Sequence, residues 1–300
     1  MFENALVCKD IVKEYSGKRV LDNITLSLEP HKIYGLIGRN GAGKTTLMSI
    51  LTAQAPATSG EVRLDGDPVW ENAKALEHIC FSRELSADQT NPVAALKVKE
   101  YLRIASIYYP KWDAAYADHL VELFELETGK KMLKLSKGML SMVTIVVALA
   151  SKADITILDE PVAGLDVVAR EQFYRLLVEE YAATERTFII STHIIEEAAS
   201  VFEEVVFLDK GKLLLKQNTE ELIASFRYVS GRSDVVDEAV AGLEVLHQES
   251  LGRSKGVCVR IPDGEEAGAR FAGKELDVEA MSLQKIFVYL SGGLKEEGAQ

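Results

Sequence analysis

The amino-acid sequence predicts an α/β fold built on parallel strands, with a helical insert at about 90–150 and a small C-terminal α+β module. Three observations carry this. Short runs of β-branched and aliphatic residues alternate with longer segments of helical periodicity, the pattern of strand–helix–strand units. One buried-looking run leads directly into a glycine-rich turn and then a helix. The stretch at about 90–150 shows few strand signals until its end and carries apolar residues at helical spacing.

The elements follow in order. Alternation in Ile24-Thr25-Leu26-Ser27-Leu28 predicts a strand, and Pro30-His31 a turn. Ile33 to Ile37 reads as a buried strand entering Gly38-Arg39-Asn40-Gly41-Ala42-Gly43-Lys44-Thr45-Thr46, with a helix expected over Leu47 to Ala53. Pro56 to Gly60 interrupt it, and Glu61 to Leu64 resume an extended chain. Helices are expected over Val98–Ile107, Trp112–Phe124 and Leu140–Leu149. Ile155–Leu158 is a strand, Val167–Tyr181 a helix, and Thr187–Ser191 and Val205–Leu208 are strands, the last turning at Lys210-Gly211. The α/β unit is complete by 218. Residues 219–300 carry extended segments at Phe226–Val229, Val245 and Val257–Ile261, and helices at Val235–Ala241 and Ser282–Leu290, with Leu283, Ile286, Phe287 and Leu290 as a core or dimer stripe.

Composition narrows the function. Asp and Glu number 46 against 34 Lys and Arg, a net charge of −12, which argues against a general nucleic-acid surface and for no nucleic-acid partner. The longest nearly continuous apolar run, Val143–Ala150, falls far short of the roughly 18 residues of a membrane span. Met1 to Ala5 show no secretory pattern. Cys8, Cys80 and Cys258 are too scattered for a disulfide framework or a paired metal site, so a reducing cytoplasm is expected.

Gly38-x-x-x-x-Gly43-Lys44-Thr45 satisfies the P-loop pattern, between a strand and a helix. Glycines let successive N–H groups curl around phosphate oxygens, and the helix start adds a positive end. Lys44 can bridge the β and γ phosphates, and the Thr45 hydroxyl can ligate Mg²⁺. Ile155-Thr156-Ile157-Leu158-Asp159-Glu160-Pro161 ends a strand in two carboxylates. Asp159 can hold Mg²⁺, directly or through water, and Glu160 can orient or deprotonate an attacking water. His193 follows the Thr187–Ser191 strand, on the edge where open α/β sheets place ligands.

These motifs and their order resemble the ATP-binding subunit of an ABC transporter, a P-loop NTPase, over residues 1–215. Gly38–Thr45 match Walker A and Ile155–Glu160 match Walker B. Leu135-Ser136-Lys137-Gly138-Met139 stand at the signature, Ala163-Gly164-Leu165-Asp166 at the D-loop, and Ser191-Thr192-His193 at the switch histidine. The resemblance implies ATP and Mg²⁺ as cofactors, with Asn40, Gly41, Ala42 and Thr46 completing the phosphate cradle and Tyr15 stacking on adenine. It implies a second ATP-binding subunit, head to tail, so that Ser136 and Gly138 reach the γ-phosphate in trans and Asp166 links the two sites. Glu160 would be the base, and His193 would contact the γ-phosphate and position the water. A transmembrane permease would hold the chain at the inner face of the membrane, with export the preferred direction.

Two segments, the signature and the Q-loop, depart from the family pattern. Lys137 and Met139 replace a glycine and a glutamine; Lys137 either adds charge near phosphate or faces solvent. At the Q-loop the alignment puts Glu84 in place of the glutamine, with Arg83 the plausible offset and Gln89 too distant. Glu84 can still bind Mg²⁺ or its water but cannot donate an amide hydrogen bond. Ser136–Met139, residues 108–113 and Phe287–Leu290 are similar to a bacterial subgroup that includes subunits encoded beside GntR-type regulators and exporters of antimicrobial or amphipathic peptides. The alternatives are a soluble ABC-type mechanical or regulatory ATPase and a non-hydrolysing structural subunit, the latter opposed by Lys44, Asp159, Glu160 and His193.

Overall fold

The computed structural model describes residues 5–85, 92–262 and 270–292; Met1 to Asn4 and Gln89 lie outside them. The chain forms two compact units, Met1–Leu215 and Lys216–Gln300.

The first unit is organised around a six-stranded sheet in the order β10-β9-β3-β8-β7-β6. Its strands are β3 (Ile33–Gly38), β6 (Ile79–Ser82), β7 (Ile155–Asp159), β8 (Thr187–Thr192), β9 (Glu204–Asp209) and β10 (Lys212–Asn218). The pairs β3–β8, β3–β9, β6–β7 and β7–β8 are parallel. Burial explains the near-unbroken apolar runs, because every residue of β3, β7 and β8 is buried and both sheet faces are covered. The register sets Leu158 beside Ser82 and Asp159 beside Ser191, while Ile37 pairs with Thr192. The carboxyl ends of four strands therefore finish at one edge.

The expected strands around 24–28 and 61–64 do not join that sheet. They belong to a second, antiparallel one, ordered β2-β1-β4-β5: β1 (Leu6–Tyr15), β2 (Lys18–Leu28), β4 (Ser59–Leu64) and β5 (Asp67–Pro68). Strand β1, which the sequence reading passed over, pairs with both β2 and β4. Its alternation is broken by register shifts after Cys8 and Ile11, and Asp10 sits at φ 52°. One apolar cluster joins the two sheets. It runs from Ile11, Leu21, Ile24 and Leu26 through Leu47 and Met48 of α1 (Lys44–Leu51) to Ile157 and Ile189. The expected helix end at Ala53 falls two residues early, because Ala53 turns to φ 52°. The short α2 (Ala73–Leu76) leads into β6.

The insert comprises α3 (Val98–Tyr108), α4 (Ala114–Leu123) and α5 (Lys137–Ala150). Asp113 caps α4 through the Tyr116 N–H, and Ser136 caps α5 through the Met139 N–H. From Val143 to Ala150 every residue of α5 is buried. Beyond β7 run α6 (Val167–Thr184), capped by Asp166 on the Ala169 N–H, and α7 (Ile195–Ala198). Beneath α5 and α6 lies a buried charge cluster. Arg186 is 3.0 Å from Glu180 and donates to the carbonyls of Leu149 and Ala153, and Lys152 also binds Glu180. Burial holds the Arg186 guanidinium below its ordinary pKa while Glu180 pulls it back up.

The second unit contains α8 (Thr219–Ala224), β11 (Phe226–Arg232), α9 (Ser233–Ala239), β12 (Glu244–Leu251), β13 (Ser254–Arg260), β14 (Leu276–Ala280) and α10 (Leu283–Leu290). Its sheet, ordered β12-β13-β11-β14, is antiparallel throughout. Val229, Val257 and Val259 pack with Val236 and Val240 in one core. In α10, Leu283, Ile286 and Phe287 are buried and Leu290 is half-buried, so the expected stripe is mostly core.

Candidate functional site

The glycine turn after β3 is shaped by close backbone contacts. A Cβ on Gly38 would lie 2.7 Å from the Leu208 carbonyl, and one on Gly43, at φ 105°, 2.6 Å from Leu21. Ala42 donates its N–H to Arg39, and its carbonyl accepts from Gly211 at the β9–β10 turn. Asn40 and Gly41 stay exposed on the rim, and Thr46 is half-buried. Lys44 folds back into the turn and donates to the Gly38 carbonyl at 2.7 Å. Burial pushes its ammonium below the usual lysine pKa, while Glu160 and Asp159 push it back up.

At the end of β7, Asp159 is buried and accepts from the Thr45 hydroxyl at 2.7 Å on one oxygen and the Ser191 hydroxyl at 2.6 Å on the other. Glu160 then leaves the strand at φ 50°, in the left-handed region. Its N–H donates to the Ser191 hydroxyl, 3.0 Å, and carbonyl, 3.2 Å. This turn sets the Glu160 carboxylate 3.9 Å from the Lys44 ammonium and 2.6 Å from His193 Nδ1. A carboxylate only accepts, so His193 carries the proton on Nδ1.

Ser191 is the residue that sequence reasoning left without a role. Its signal was present, as a polar residue ending the apolar run of β8. Only the β7–β8 register shows that it holds Asp159 and Glu160 together.

The edge opens on a cavity of about 440 Å³ lined by Thr45, Arg83, Glu84, Leu85, Leu135, Lys137, Leu140 and Asp159. Ser136 and Gly138 lie beside it at the start of α5, with the Ser136 hydroxyl engaged as the helix cap. A Cβ on Gly138 would come 2.6 Å from the Gly164 carbonyl, so the signature turn and the 163–166 turn touch within one chain. Lys137 does not simply face solvent: its ammonium is 2.8 Å from Glu84 Oε1. Tyr15 is not among the cavity residues; it is exposed at the end of β1, with the Lys13 ammonium 4.8 Å from its ring centre.

The residues suit a small hard cation shared with a phosphate ligand. Thr45 and Asp159 present adjoining oxygens, and Glu84 lines the same cavity. Among the described residues no three His, Cys, Asp or Glu gather into a metal site of their own. Mg²⁺ bound through one or two protein oxygens, phosphates and water has this requirement.

A strand–glycine turn–helix beside an Asp-Glu strand end defines a P-loop nucleoside triphosphate hydrolase. Residues 21–163 match the family described as ABC transporter. The ATP-binding protein YtrB of Bacillus subtilis (strain 168) is 29% identical over 95% of this chain and 97% of its own length. The Nod factor export ATP-binding protein I of Cupriavidus metallidurans is 30% identical, covering 73% of each chain. The bacitracin transport ATP-binding protein BcrA of Bacillus licheniformis is 32% identical, over 68% of this chain and 67% of its own. A solved ATP-binding subunit of an ABC transporter superposes with a TM-score of 0.64 at 25% identity, covering 73% of this chain and 92% of its own. The chain belongs to the ABC transporter ATP-binding proteins and is an ATP-hydrolysing, transport-coupled enzyme, and this membership implies ATP and Mg²⁺ as its cofactors.

Proposed function

We propose that this chain is the ATP-hydrolysing engine of a transporter whose membrane-crossing part is a separate permease, and that it exports peptides, drugs or lipid-like compounds. The observation that carries the reading is the joined constellation of Lys44, Thr45, Asp159, Glu160 and His193. Lys44 neutralises phosphate charge. Thr45 and Asp159 would hold the metal, which would draw charge off the phosphoryl oxygens when bound. Glu160 takes the proton of the attacking water, and His193, through its Nδ1–H, holds that carboxylate in place.

Among the described residues no helix is long and apolar enough to cross a membrane; in this reading the permease is a separate partner. Its contact surface is the patch on α3 formed by Ile104, Ile107 and Tyr108, the last two being 73% and 74% exposed. Val167 and Val168, 65% and 76% exposed directly after Asp166, face a second ATP-binding subunit. In that head-to-tail pair Ser136 and Gly138 reach the partner's nucleotide, Asp166 joins the sites and Tyr15 stacks on adenine. Residues 219–300 form an accessory module. The chain would thus sit on the inner face of the membrane. A relative named for Nod factor export supports the direction and, together with one named for bacitracin transport and the likeness to the GntR-associated subgroup, an amphipathic cargo.

Two experiments test this. Purification from detergent-solubilised membranes should recover a multi-span protein in stoichiometric amount; recovery from the cytosol with ribosomal or repair proteins would reverse the transport reading. Glu160→Gln should keep ATP binding, trap an ATP-dependent dimer and slow phosphate release by about 10²- to 10⁴-fold. Normal turnover would remove Glu160 as the base.

A further inference from the structure

Arg170 stands on the first turn of α6, outside the constellation of Lys44, Thr45, Asp159, Glu160 and His193, and its guanidinium reaches two different segments. The Nε–H donates to the Leu165 carbonyl at 3.0 Å, just before the Asp166 cap, and an Nη1–H donates to Glu197 Oε1 of α7 at 2.8 Å. A planar fork fixes the direction of both bonds together, which a single ammonium cannot do. Tyr174, one turn further along the same face of α6, is buried and lines a groove with Glu197, so this face looks toward α7.

The segment that Glu197 anchors carries His193. The His193 imidazole is 57% exposed, so packing does little to aim it, and the backbone that bears it sets its place. On one side that backbone is fixed by β8, whose Thr192 hydroxyl accepts from the Ile194 N–H at 3.0 Å. On the other side stands α7, four residues long and too short to be stable by itself. Ile195 and Ala198 are buried, and the Arg170–Glu197 bond ties the turn to α6. His193 in turn meets the Glu160 carboxylate at 2.6 Å. We infer that Arg170 is a positioning residue for hydrolysis: through Glu197 it fixes α7, and so keeps the His193 imidazole on Glu160. The inference rests on the hydrolytic reading of Glu160 and His193.

The test has two arms, both on the full chain. In the first, without nucleotide, long-range proton–nitrogen NMR of the histidine side chains reports the tautomer and hydrogen bonding of each imidazole, and His193→Ala identifies the His193 signal. Arg170→Gln and, separately, Glu197→Gln should each move that signal and leave those of the other four histidines in place. In the second arm, each variant should lower kcat for ATP by about 2- to 12-fold, the net strength of one hydrogen bond, with KM held within twofold. The double variant should lose no more than Arg170→Gln alone, because both changes break one bridge. Glu197 is 36% exposed, so Glu197→Gln tests the bridge even where Arg170→Gln fails to fold. An unmoved His193 signal, or losses of kcat that multiply in the double variant, would overturn the inference. Failure of the unsubstituted chain to hydrolyse ATP would instead overturn the hydrolytic reading, while the NMR arm, which needs no nucleotide, still decides whether Arg170 places His193.

Discussion

Ser191→Ala removes a single oxygen from the fully buried end of β8, and its consequences can be worked out from three contacts. The hydroxyl donates to Asp159 Oδ1 at 2.6 Å and accepts from the Glu160 N–H at 3.0 Å. The Glu160 N–H is not orphaned by the change, because the Ser191 carbonyl remains 3.2 Å away. Asp159 does lose a charge-assisted bond in a buried setting, keeping only Thr45. A hydrogen bond to a charged group contributes about 1.5–3 kcal/mol, which sets the expected loss of stability in the metal-free chain. If the same amount is lost from the transition state, kcat falls about 10- to 150-fold. A freed Asp159 should also raise the Mg²⁺ concentration needed for half-maximal turnover. Urea unfolding without Mg²⁺ and a phosphate-release assay across a Mg²⁺ titration measure these quantities. Unfolding within about 0.5 kcal/mol of the parent, together with turnover within twofold, would refute the view that Ser191 organises the two carboxylates.

Other expectations follow from contacts elsewhere. Arg186→Leu leaves Glu180 buried with Lys152 alone and should cost about 3 kcal/mol in urea unfolding, the lower end for a broken buried pair because Lys152 stays 2.7 Å from Glu180. Gly138→Ala should depress ATPase activity more than stability, since its Cβ must displace the Gly164 carbonyl at the turn that bears Asp166; parallel kcat and unfolding measurements separate the two. Burial pushes the Asp154 carboxyl up, but Lys111 and His78 outweigh it and hold the group below its ordinary pKa. A depressed folded pKa contributes stability above the unfolded value of about 3.9 that is lost as pH falls through the folded one. Asp154→Asn should therefore cost up to about 1 kcal/mol at pH 7, with the gap to the parent narrowing below pH 4 in urea midpoints.

How legible the molecule was depends on how local each feature is. The phosphate turn follows from glycines at fixed offsets before Lys44, because backbone geometry within a few residues creates the cradle. The helical insert was equally plain, since α5 is buried on every side from Val143 to Ala150 and shows it as a nearly continuous apolar run. The antiparallel sheet was not, because β1 breaks its alternation at register shifts and so lacks the period of a half-buried strand. Glu84 and Lys137 each stood out as a departure from the family pattern, one expected near Mg²⁺ and the other at phosphate or in solvent. That they pair with each other was not visible, because nothing in the order of residues relates the end of β6 to the start of α5.

The sequence by itself determined the two contiguous motifs on which the proposed nucleotide chemistry rests: Gly38 to Thr45 and Asp159-Glu160 impose their own backbone turns and end in the side chains that reading uses. Tertiary structure decided which side chains hold them. The β7–β8 register put Ser191 against Asp159, the left-handed turn at Glu160 swung its carboxylate to His193, and the docking of the insert brought Lys137 to Glu84. Each of those contacts joins residues distant along the chain, and parallel strand pairing and helix packing set such distances only when the whole unit folds.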